Sequence, residues 1–442
     1  MNKIIKNFTI KKLYGERDVS IDFSENIKVL VAENGYGKTT VLNALFGILS
    51  GDIHKLRDIE FDKICVEFSD DEKFEIKSSE FSISYDSFTK NGIYDYLKRK
   101  VGEPKTLRLI EHYLTSPNKV FLRSSILNSV SKRAEMPGRH IHSMLSDMSN
   151  VEGEGFKDLV EGKEKLKRIR EKFGLNIVYL PTYRRVEQDF EELSANESVD
   201  ISNEHSINFG MKDVSQRFEE ITEEIKSSSV QWFSKVNGEM LSQLVEGFKV
   251  DDETKNNIDA EALKIVLDRI GNNIQQSYKK EIIRLVDSGE IFSGHDPLVY
   301  FISNLVKVYG EQKSNDKAIQ EFSEVCNRYL VDKKIDYNES DVTIDIVRRK
   351  NGKSVDIENL SSGEKQIISL FARLYLKRED NLAIFFDEPE LSLSIEWQKT
   401  LLPDILNSGK CSFLFTTTHS PFIFENELAQ YTVDLGHYIK EL

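Results

Sequence analysis

Cysteine is scarce in this chain, since 442 residues contain only Cys65, Cys326 and Cys411. None of them belongs to a C-x-x-C pair, so the sequence predicts neither a disulfide framework nor a cysteine-based zinc site. No apolar run approaches the roughly 20 residues that a membrane-spanning helix requires. The first 15 residues are basic but lack the apolar stretch and cleavage site of a signal peptide. A cytoplasmic location without membrane contact is therefore expected.

Basic residues are fewer than acidic ones, with 60 Lys and Arg against 74 Asp and Glu, which gives a net charge of −14. Bulk electrostatics therefore do not favour nucleic acid, and any such contact needs a local basic patch or a basic partner. Two short basic clusters exist, Lys163–Lys172 and Ser131–His140. Both are typical of solvated helix faces or loops, and nucleic-acid contact is the alternative interpretation.

The remaining composition, 39% hydrophobic and 30% charged, is that of a globular protein with room for two or three domains. Short β-branched segments near both chain ends predict strands, whereas helical periodicity dominates the middle. The clearest periodic stretch, Leu263–Leu285, predicts one helix. We therefore predict an α/β fold in which one domain is built from both ends and a mainly helical lobe is inserted. The predicted segments are 1–85, 86–174 (mixed, mostly helical), 175–190 (a returning strand and loop), 191–335 (helical lobe) and 336–442.

A glycine-rich stretch follows the predicted strand Ile27–Val31 and precedes the predicted helix Thr39–Leu49. It matches the phosphate-loop pattern G-x-x-x-x-G-K-[ST] except that Ala32 occupies the first glycine position. Alanine is tolerated there if its φ is negative, because only a positive φ requires glycine. The strand–loop–helix context favours a nucleotide site, whose candidate ligands are Asn34, Gly35, Gly37, Lys38, Thr39 and Thr40.

A second element is the apolar segment Asn381–Leu393, which contains a predicted strand that ends at Asp387 and Glu388. Adjacent carboxylates at the end of a buried strand need a partner, because burying unpaired carboxylates is costly. Magnesium bound to nucleotide phosphates supplies one. Asp387 is then expected to hold Mg²⁺ together with the Thr39 hydroxyl, and Glu388 to activate the attacking water.

Two further elements complete the set. The segment Leu360–Glu364 reads LSSGE at a predicted helix start, where free amides bind anions, so Ser361 and Gly363 are candidate nucleotide ligands. A simple capping box between Ser361 and Glu364 explains the same residues, and the two interpretations are compatible. After the next predicted strand, three threonines lead to His419, which is placed to reach a γ-phosphate.

These four elements, in this order, resemble the ABC ATPases of the SMC, RecF and OLD type. The resemblance implies an ABC-type ATPase head that uses ATP and Mg²⁺, with Glu388 and His419 as catalytic residues. It also implies a homodimer that sandwiches two ATP molecules. Each ATP is then held by Lys38 of one head and by Ser361 and Gly363 of the other.

The sequence departs from this family in two places. The glutamine that usually contacts Mg²⁺ has no counterpart between residues 51 and 187, so the loop Pro181–Gln188 is the best substitute. The aspartate of the loop after the DE strand is missing from Glu390–Gln398. The missing aspartate predicts that communication between the two ATP sites differs, and both departures favour a subfamily rather than an inactive enzyme.

The segments YLPTYRR, LSSGEKQIISLFARLYL, FFDEPELSLSIEWQ and TTTHSPF resemble bacterial antiphage-defence ATPases, first those of Septu and second those of PARIS. The resemblance implies an assembly of several dimers carrying a separate HNH-type nuclease. Because 23 residues follow His419 and the histidines of the lobe form no metal cluster, no nuclease site is expected in this chain. The alternative is a RecF-like DNA-repair or DNA-clamp ATPase that engages DNA directly.

Overall fold

The computed structural model describes residues 3–33, 35–81, 92–115, 118–149, 154–181, 211–248, 250–251, 254–255, 257–271, 274–377 and 379–442. Its strands are β1 Ile5–Leu13, β2 Arg17–Asp22, β3 Ile27–Val31, β4 Lys63–Phe68, β5 Lys73–Lys77, β6 Asn176–Leu180, β7 Lys333–Asn338, β8 Thr343–Arg348, β9 Leu382–Asp387, β10 Cys411–Thr418, β11 Thr432–Asp434 and β12 Ile439–Glu441. Its α-helices are α1 Lys38–Ser50, α2 Ile53–Arg57, α3 Gly92–Val101, α4 Glu103–Thr115, α5 Asn118–Phe121, α6 Ser125–Ala134, α7 Gly138–Ser149, α8 Glu154–Phe173, α9 Met211–Glu246, α10 Ala260–Arg269, α11 Gln276–Asp287, α12 Asp296–Tyr329, α13 Ser362–Phe371 and α14 Ile395–Asn407.

Two compact units divide the chain, one made of residues 1–207 and 379–442 and the other of residues 208–378. Both chain ends therefore belong to the first unit, and the second unit is an insertion between them. This mixed α/β architecture confirms the predicted fold class. The division places residues 336–378 in the second unit, although the sequence analysis grouped them with the carboxy-terminal segment 336–442. The reason is local, because β7 and β8 pair with each other as a two-stranded sheet.

A five-stranded parallel sheet with the order β11-β3-β10-β9-β6 forms the centre of the first unit. All six residues of β9 are buried, which explains why its sequence is continuously apolar up to Asp387. Val31 pairs with Thr418, and Thr417 pairs with Asp387. The carboxyl ends of β3, β10 and β9 thus meet at one edge of the sheet, so the loops that follow them emerge side by side.

A second five-stranded sheet in the first unit, with the order β12-β2-β1-β4-β5, is antiparallel. Its apolar residues alternate along the strands, as in β5, where Phe74 and Ile76 are buried between exposed neighbours. These side chains, α1 and the parallel sheet share one hydrophobic core. The core fixes α1, and with it the loop before α1, against the edge where β3, β10 and β9 end.

Helices α3 to α7, which span residues 92–149, form a helical bundle with its own hydrophobic core. Tyr94, Leu97, Leu109, Phe121 and Leu127 are among the buried residues of that core. The described buried residues of that core all lie between Tyr94 and Leu145. The sequence analysis predicted a mostly helical segment here, and the bundle is a small folding element of the first unit.

Helices dominate the second unit, as its sequence predicts, but one predicted helix is wrong. The stretch Leu263–Leu285 forms two helices, α10 and α11, instead of one. Gly271, with φ at 64°, follows the end of α10, and this left-handed conformation is one that glycine adopts without strain. The apolar spacing continues across the break because both helices pack on the same hydrophobic core.

Candidate nucleotide site

The phosphate loop runs from the end of β3 to the start of α1. Gly35 and Gly37 have φ values of 89° and 83°, a conformation that requires glycine, while Ala32 is not among the described non-glycine residues with positive φ. Alanine is therefore compatible with the first position of the loop. A Cβ added to Gly35 or Gly37 would meet no atom within 4 Å, so the space over the loop is open. Asn34, the first candidate ligand, lies outside the described residues.

Lys38, the first residue of α1, folds back over this loop. Its Nζ donates to the carbonyl oxygens of Ala32 at 2.6 Å and Glu33 at 3.1 Å, and the residue is buried. At the start of α1, Gly37 provides no side-chain cap and the first turn contains no acidic residue. Free amides at the start of a 13-residue helix, with a lysine beside them, form a cradle for phosphate.

Thr39 and Asp387 meet although 348 positions separate them in the sequence. The Thr39 hydroxyl lies 3.1 and 3.0 Å from the two carboxylate oxygens of Asp387. Thr417, on the neighbouring strand β10, donates to the same carboxylate at 2.7 Å. Asp387 is only 2% exposed, so these hydroxyls provide the hydrogen bonds that a buried carboxylate needs. A hydroxyl next to a carboxylate is a donor set that suits Mg²⁺.

Glu388 follows Asp387 and has a strained backbone, with φ at 49°. Its amide donates to the Thr417 carbonyl at 2.9 Å, which holds the residue at the sheet edge. Burial raises the pKa of Glu388, and the carboxylates of Asp387 and Glu390 raise it further. A raised pKa makes a carboxylate a stronger base, which suits a group that accepts a proton from water.

His419, after β10, contacts two carboxylates. Its Nδ1 lies 3.9 Å from Glu388 Oε1 and 2.8 Å from Glu390 Oε1. The same oxygen of Glu390 accepts the backbone N–H of His419 at 2.8 Å. Glu390 is 5% exposed, and its second oxygen, Oε2, is buried without a hydrogen-bond partner.

Glu390 was not selected from the sequence. It differs from an ordinary loop glutamate only through its burial against His419, which the residue pattern does not reveal. The one available signal was its spacing of two residues from Glu388 in the segment FFDEPE.

A cavity of about 360 Å³ opens over the phosphate loop. Gly35, Gly37, Lys38, Thr39, Thr40 and Glu388, all selected from the sequence, line it. Tyr14 and Arg17, which sequence reasoning missed, line it as well. Tyr14 lies 3.3 Å, oxygen to oxygen, from the Thr40 hydroxyl.

Arg17 contributes an unsatisfied donor to this cavity. Its Nε is buried without a hydrogen-bond partner, and the carboxylate that its NH2 group approaches, that of Glu16, is 3.8 Å away. An unsatisfied guanidinium beside a phosphate loop fits an anionic ligand. Arg17 belongs to the antiparallel sheet and precedes Ala32, the first residue of the loop, by 15 positions, so no short motif contains both.

The LSSGE segment belongs to the second unit and starts α13. Ser361 is the amino-terminal cap of this helix, and both halves of a capping box with Glu364 are present. The Ser361 hydroxyl donates to Glu364 Oε2 at 2.9 Å and accepts the Glu364 amide at 3.3 Å. Lys333 adds an ion pair to Glu364 at 2.9 Å. Gly363, the other candidate of this segment, is buried in the first turn of α13.

The structure describes only part of the loops in which the sequence departs from the ABC pattern. Strand β6 runs parallel to β9, with Leu180 paired to Phe386, so its carboxyl end lies at the same sheet edge. The loop Pro181–Gln188, the predicted substitute for the magnesium-contacting glutamine, lies outside the described residues after Pro181. Gln398 has a structural position instead, since it accepts the Ser420 hydroxyl at 2.6 Å and donates to the Leu393 carbonyl at 3.0 Å.

The described residues contain no group of three or more His, Cys, Asp or Glu side chains arranged to hold a metal ion. Across the described ranges, no helix combines the length and the apolar character needed to cross a membrane.

A phosphate loop between a parallel strand and a helix, with an acidic strand end beside it, defines the class of phosphate-loop ATPases. Comparison with protein families agrees with this class. The family described as AAA ATPase domain matches residues 4–424, and the chain belongs to that family. No curated protein matches the chain.

Proposed function

We propose that this protein binds ATP over the phosphate loop and hydrolyses it with Mg²⁺. The family supports an ATPase. The observation that supports the specific site is the contact of Thr39 with Asp387, at 3.0 to 3.1 Å, beside Lys38 and Glu388. Lys38, Thr39 and Glu388 line one cavity, and Asp387 contacts Thr39 although 348 positions separate the two residues in the sequence.

The residues present fit both Mg²⁺ and the triphosphate. Open space above two positive-φ glycines accommodates phosphate oxygens, and the unsatisfied Arg17 Nε adds a donor. Thr39 and Asp387 would hold Mg²⁺. When bound, the ion neutralises charge on the phosphates and polarises the bond that breaks.

Each protein group has a distinct role in this proposal. Lys38 and the amides at the start of α1 bind phosphate oxygens, which requires Lys38 to exchange its two carbonyl partners for the ligand. Glu388 accepts a proton from the attacking water. His419, whose Nδ1 lies 2.8 Å from Glu390, presents the other side of its ring for contact with the γ-phosphate.

A phosphate-release assay with four variants tests these roles. Lys38→Ala is expected to weaken ATP binding, whereas Asp387→Asn and Thr39→Ala are expected to raise the Mg²⁺ concentration needed for activity. Lys350→Ala, on an exposed turn of the second unit, is the control and is expected to match the parent. The proposal fails if Lys38→Ala and Asp387→Asn both hydrolyse ATP at the parental rate and Mg²⁺ requirement.

We further propose that the ATPase is a sensor and scaffold for a separate effector nuclease in antiphage defence, as in Septu. The resemblance of the four motif segments supports this role. In this proposal the heads form a homodimer through contacts between Ser361 and Gly363 of one head and the phosphate loop of the other. Several dimers then assemble and carry an HNH-type nuclease in the cytoplasm.

Purification of the chain together with its operon neighbours tests the scaffold role. A stoichiometric nuclease in the purified assembly is the expected result, and a preparation without any nuclease contradicts it. The RecF-like alternative predicts that duplex DNA stimulates ATP hydrolysis several-fold in the absence of other proteins.

A further inference from the structure

The helical bundle is the basic part of an acidic chain. Residues 92–149 carry ten Lys and Arg residues against five Asp and Glu, a net charge of +5, whereas the whole chain carries −14. A segment with its own core and with charge opposite to that of the protein has a distinct electrostatic surface.

The ends of four helices of this bundle lie together. The turn at Gly102 joins α3 to α4, and Lys98 at the end of α3 pairs with Glu103 at the start of α4 at 2.9 Å. The Tyr96 hydroxyl of α3 donates to the carbonyl of Ala134, the last residue of α6, at 2.9 Å. Helix α7 begins four residues later, at Gly138. The end of α3, the start of α4, the end of α6 and the start of α7 therefore form one end of the bundle.

Most of the basic side chains lie at this end. We define the basic end as Arg99, Lys105, Lys132, Arg133 and Arg139, all of which are exposed. Within the described ranges no carboxylate forms an ion pair with any of these five residues. The two carboxylates at the same end have other partners.

Those two carboxylates are Glu103, which pairs with Lys98, and Glu135, which lies 4.0 Å from Lys100. They therefore leave the five cations of the basic end without a counter-charge in the described structure. The five positive charges of the basic end are therefore exposed to solvent.

Helix dipoles explain only part of this arrangement. Arg99, Lys132 and Arg133 lie in the last turn of their helices, where a positive charge is stabilising. Lys105 and Arg139 lie in the first turn of α4 and α7, where the dipole opposes a positive charge. Local helix energetics therefore disfavour two of the five cations, and an external anion would stabilise all of them.

We propose that the basic end binds the phosphate backbone of nucleic acid. Three of the five cations are arginines, whose planar guanidinium matches phosphate oxygens in a bidentate manner. Tyr96 is 37% exposed next to them and offers a ring for contact with a sugar or base. This surface goes beyond the ATPase site, because none of its residues lines the nucleotide cavity.

A lipid surface fits the basic end less well. Among the residues of the bundle whose exposure is described, the exposed large apolar ones other than Tyr96 are Val120 and Leu122. They lie on or beside α5, which connects the opposite ends of α4 and α6. Insertion into a bilayer needs apolar side chains next to the cations, and the basic end has none in the described structure.

Fluorescence anisotropy with the full chain tests the proposal. The probes are labelled 20-base-pair duplex DNA, duplex RNA and single-stranded DNA, in 50 to 200 mM KCl, without nucleotide. With up to five phosphate contacts, the slope of log K against log[KCl] for duplex DNA is expected to reach at most about −4.5. The test variant is Lys132→Gln/Arg133→Gln/Arg139→Gln.

The control variant, Lys264→Gln/Lys350→Gln/Lys353→Gln, removes the same charge from exposed positions of the second unit. The test variant is expected to weaken duplex binding about tenfold or more at 50 mM KCl and to reduce the slope by about 2.7. The control is expected to bind like the parent. Circular dichroism and ATP binding check that both variants are folded, and the three probes distinguish DNA from RNA and duplex from single strand.

Three results would overturn the proposal. The first is no binding of any probe at 50 mM KCl. The second is equal weakening by the test and control variants, which would mean that net charge alone governs binding. The third is that the parent chain binds vesicles containing 30% phosphatidylserine, the test variant does not, and neither binds nucleic acid. The basic end would then be a lipid-binding surface.

Discussion

Asp387 shows how single residues define the site. A carboxylate that is 2% exposed at the end of an apolar strand is destabilising unless its oxygens have partners. Here the hydroxyls of Thr39, in the first turn of α1, and of Thr417, on the neighbouring strand β10, provide them. Both partners of the buried carboxylate are therefore uncharged hydroxyls, which leaves the carboxylate able to bind a cation.

Glu390 is expected to act as a positioning residue for His419. Its Oε1 accepts the backbone N–H of His419 at 2.8 Å and lies 2.8 Å from Nδ1, so we expect it to orient the ring and to favour the tautomer with hydrogen on Nδ1. Glu390→Gln should lower kcat about 10- to 100-fold and change KM for ATP little. Steady-state kinetics measures both quantities.

A purely structural role for Glu390 would give a different result. Nitrogen-15 spectra of the His419 ring report the tautomer directly, and His419→Ala identifies the signal. An unchanged tautomer in Glu390→Gln, with unchanged kcat, would contradict the positioning role. Glu396→Gln, an exposed substitution on α14, is the control for loss of one negative charge nearby in sequence.

At the residue scale, the sequence identified the side chains that belong to compact motifs. Lys38, Thr39 and Glu388 were selected because their spacing from glycines or from an apolar strand carries a physical meaning. Tyr14 and Arg17 reach the same cavity from a different sheet, so only the tertiary fold reveals them. Glu390 was missed because burial, not residue type, distinguishes it.

At the scale of elements, variants of Ser361 can distinguish its role as the cap of α13 from its proposed role in ATP hydrolysis. Ser361 caps the helix, and serine-to-alanine replacement at a cap costs about 1 kcal/mol, whereas replacement by glycine costs only a few tenths. Both variants lack the hydroxyl proposed to contact ATP across the dimer. Ser361→Ala and Ser361→Gly should therefore slow hydrolysis equally, while only Ser361→Ala speeds hydrogen exchange of Ser362–Phe371.

A different pattern would contradict the proposed contact. If hydrolysis falls only in Ser361→Ala, the capping box is the whole role of the serine. Ser362→Ala, one position into the helix, is the matched control for the loss of a serine hydroxyl.

Helix α8 contains a lysine that is expected to destabilise the fold. Burial, and secondarily the charge of Arg57, lowers the pKa of Lys163 from 10.5 to about 8. Below pH 8 the folded state carries the full cost of the buried charge, and above about pH 10.5 the cost is absent because both states are neutral. The stability of the parent should therefore rise between these pH values.

Lys163→Met removes this cost. The variant is expected to raise the free energy of unfolding by about 1 to 2 kcal/mol at pH 7, and the gain should shrink as the pH rises toward 10.5. Urea denaturation at several pH values measures it. Lys167→Met, at a position that is 76% exposed on the same helix, is the control and should show no such pH-dependent gain.

The sequence predicted the elements near both chain ends more closely than those between them. Continuous apolar residues identified β3 and β9 within a few positions, because a buried sheet strand imposes a strict pattern. The break between α10 and α11 was missed because both helices bury their apolar side chains in one core, so the spacing continues across the turn. The pairing of β7 with β8 alone was also not readable from the strand pattern.

At the scale of the whole molecule, the chain consists of one unit built from both chain ends and one inserted unit. Both ends build an ATPase unit with a parallel sheet, and a unit of residues 208–378 is inserted between them. The two halves of the proposed magnesium site, Thr39 and Asp387, lie on opposite sides of that insertion in the sequence.

The central claim, a hydrolytic Mg-ATP site at Lys38, Thr39, Asp387 and Glu388, is tested most directly with Glu388→Gln. Removing the base should leave ATP binding intact and slow hydrolysis by about 10²- to 10⁴-fold. Because ATP then persists between the heads, mass photometry with ATP and Mg²⁺ should show the variant shifted to a dimer or larger assembly. Glu388→Gln that hydrolyses ATP at the parental rate would contradict the account.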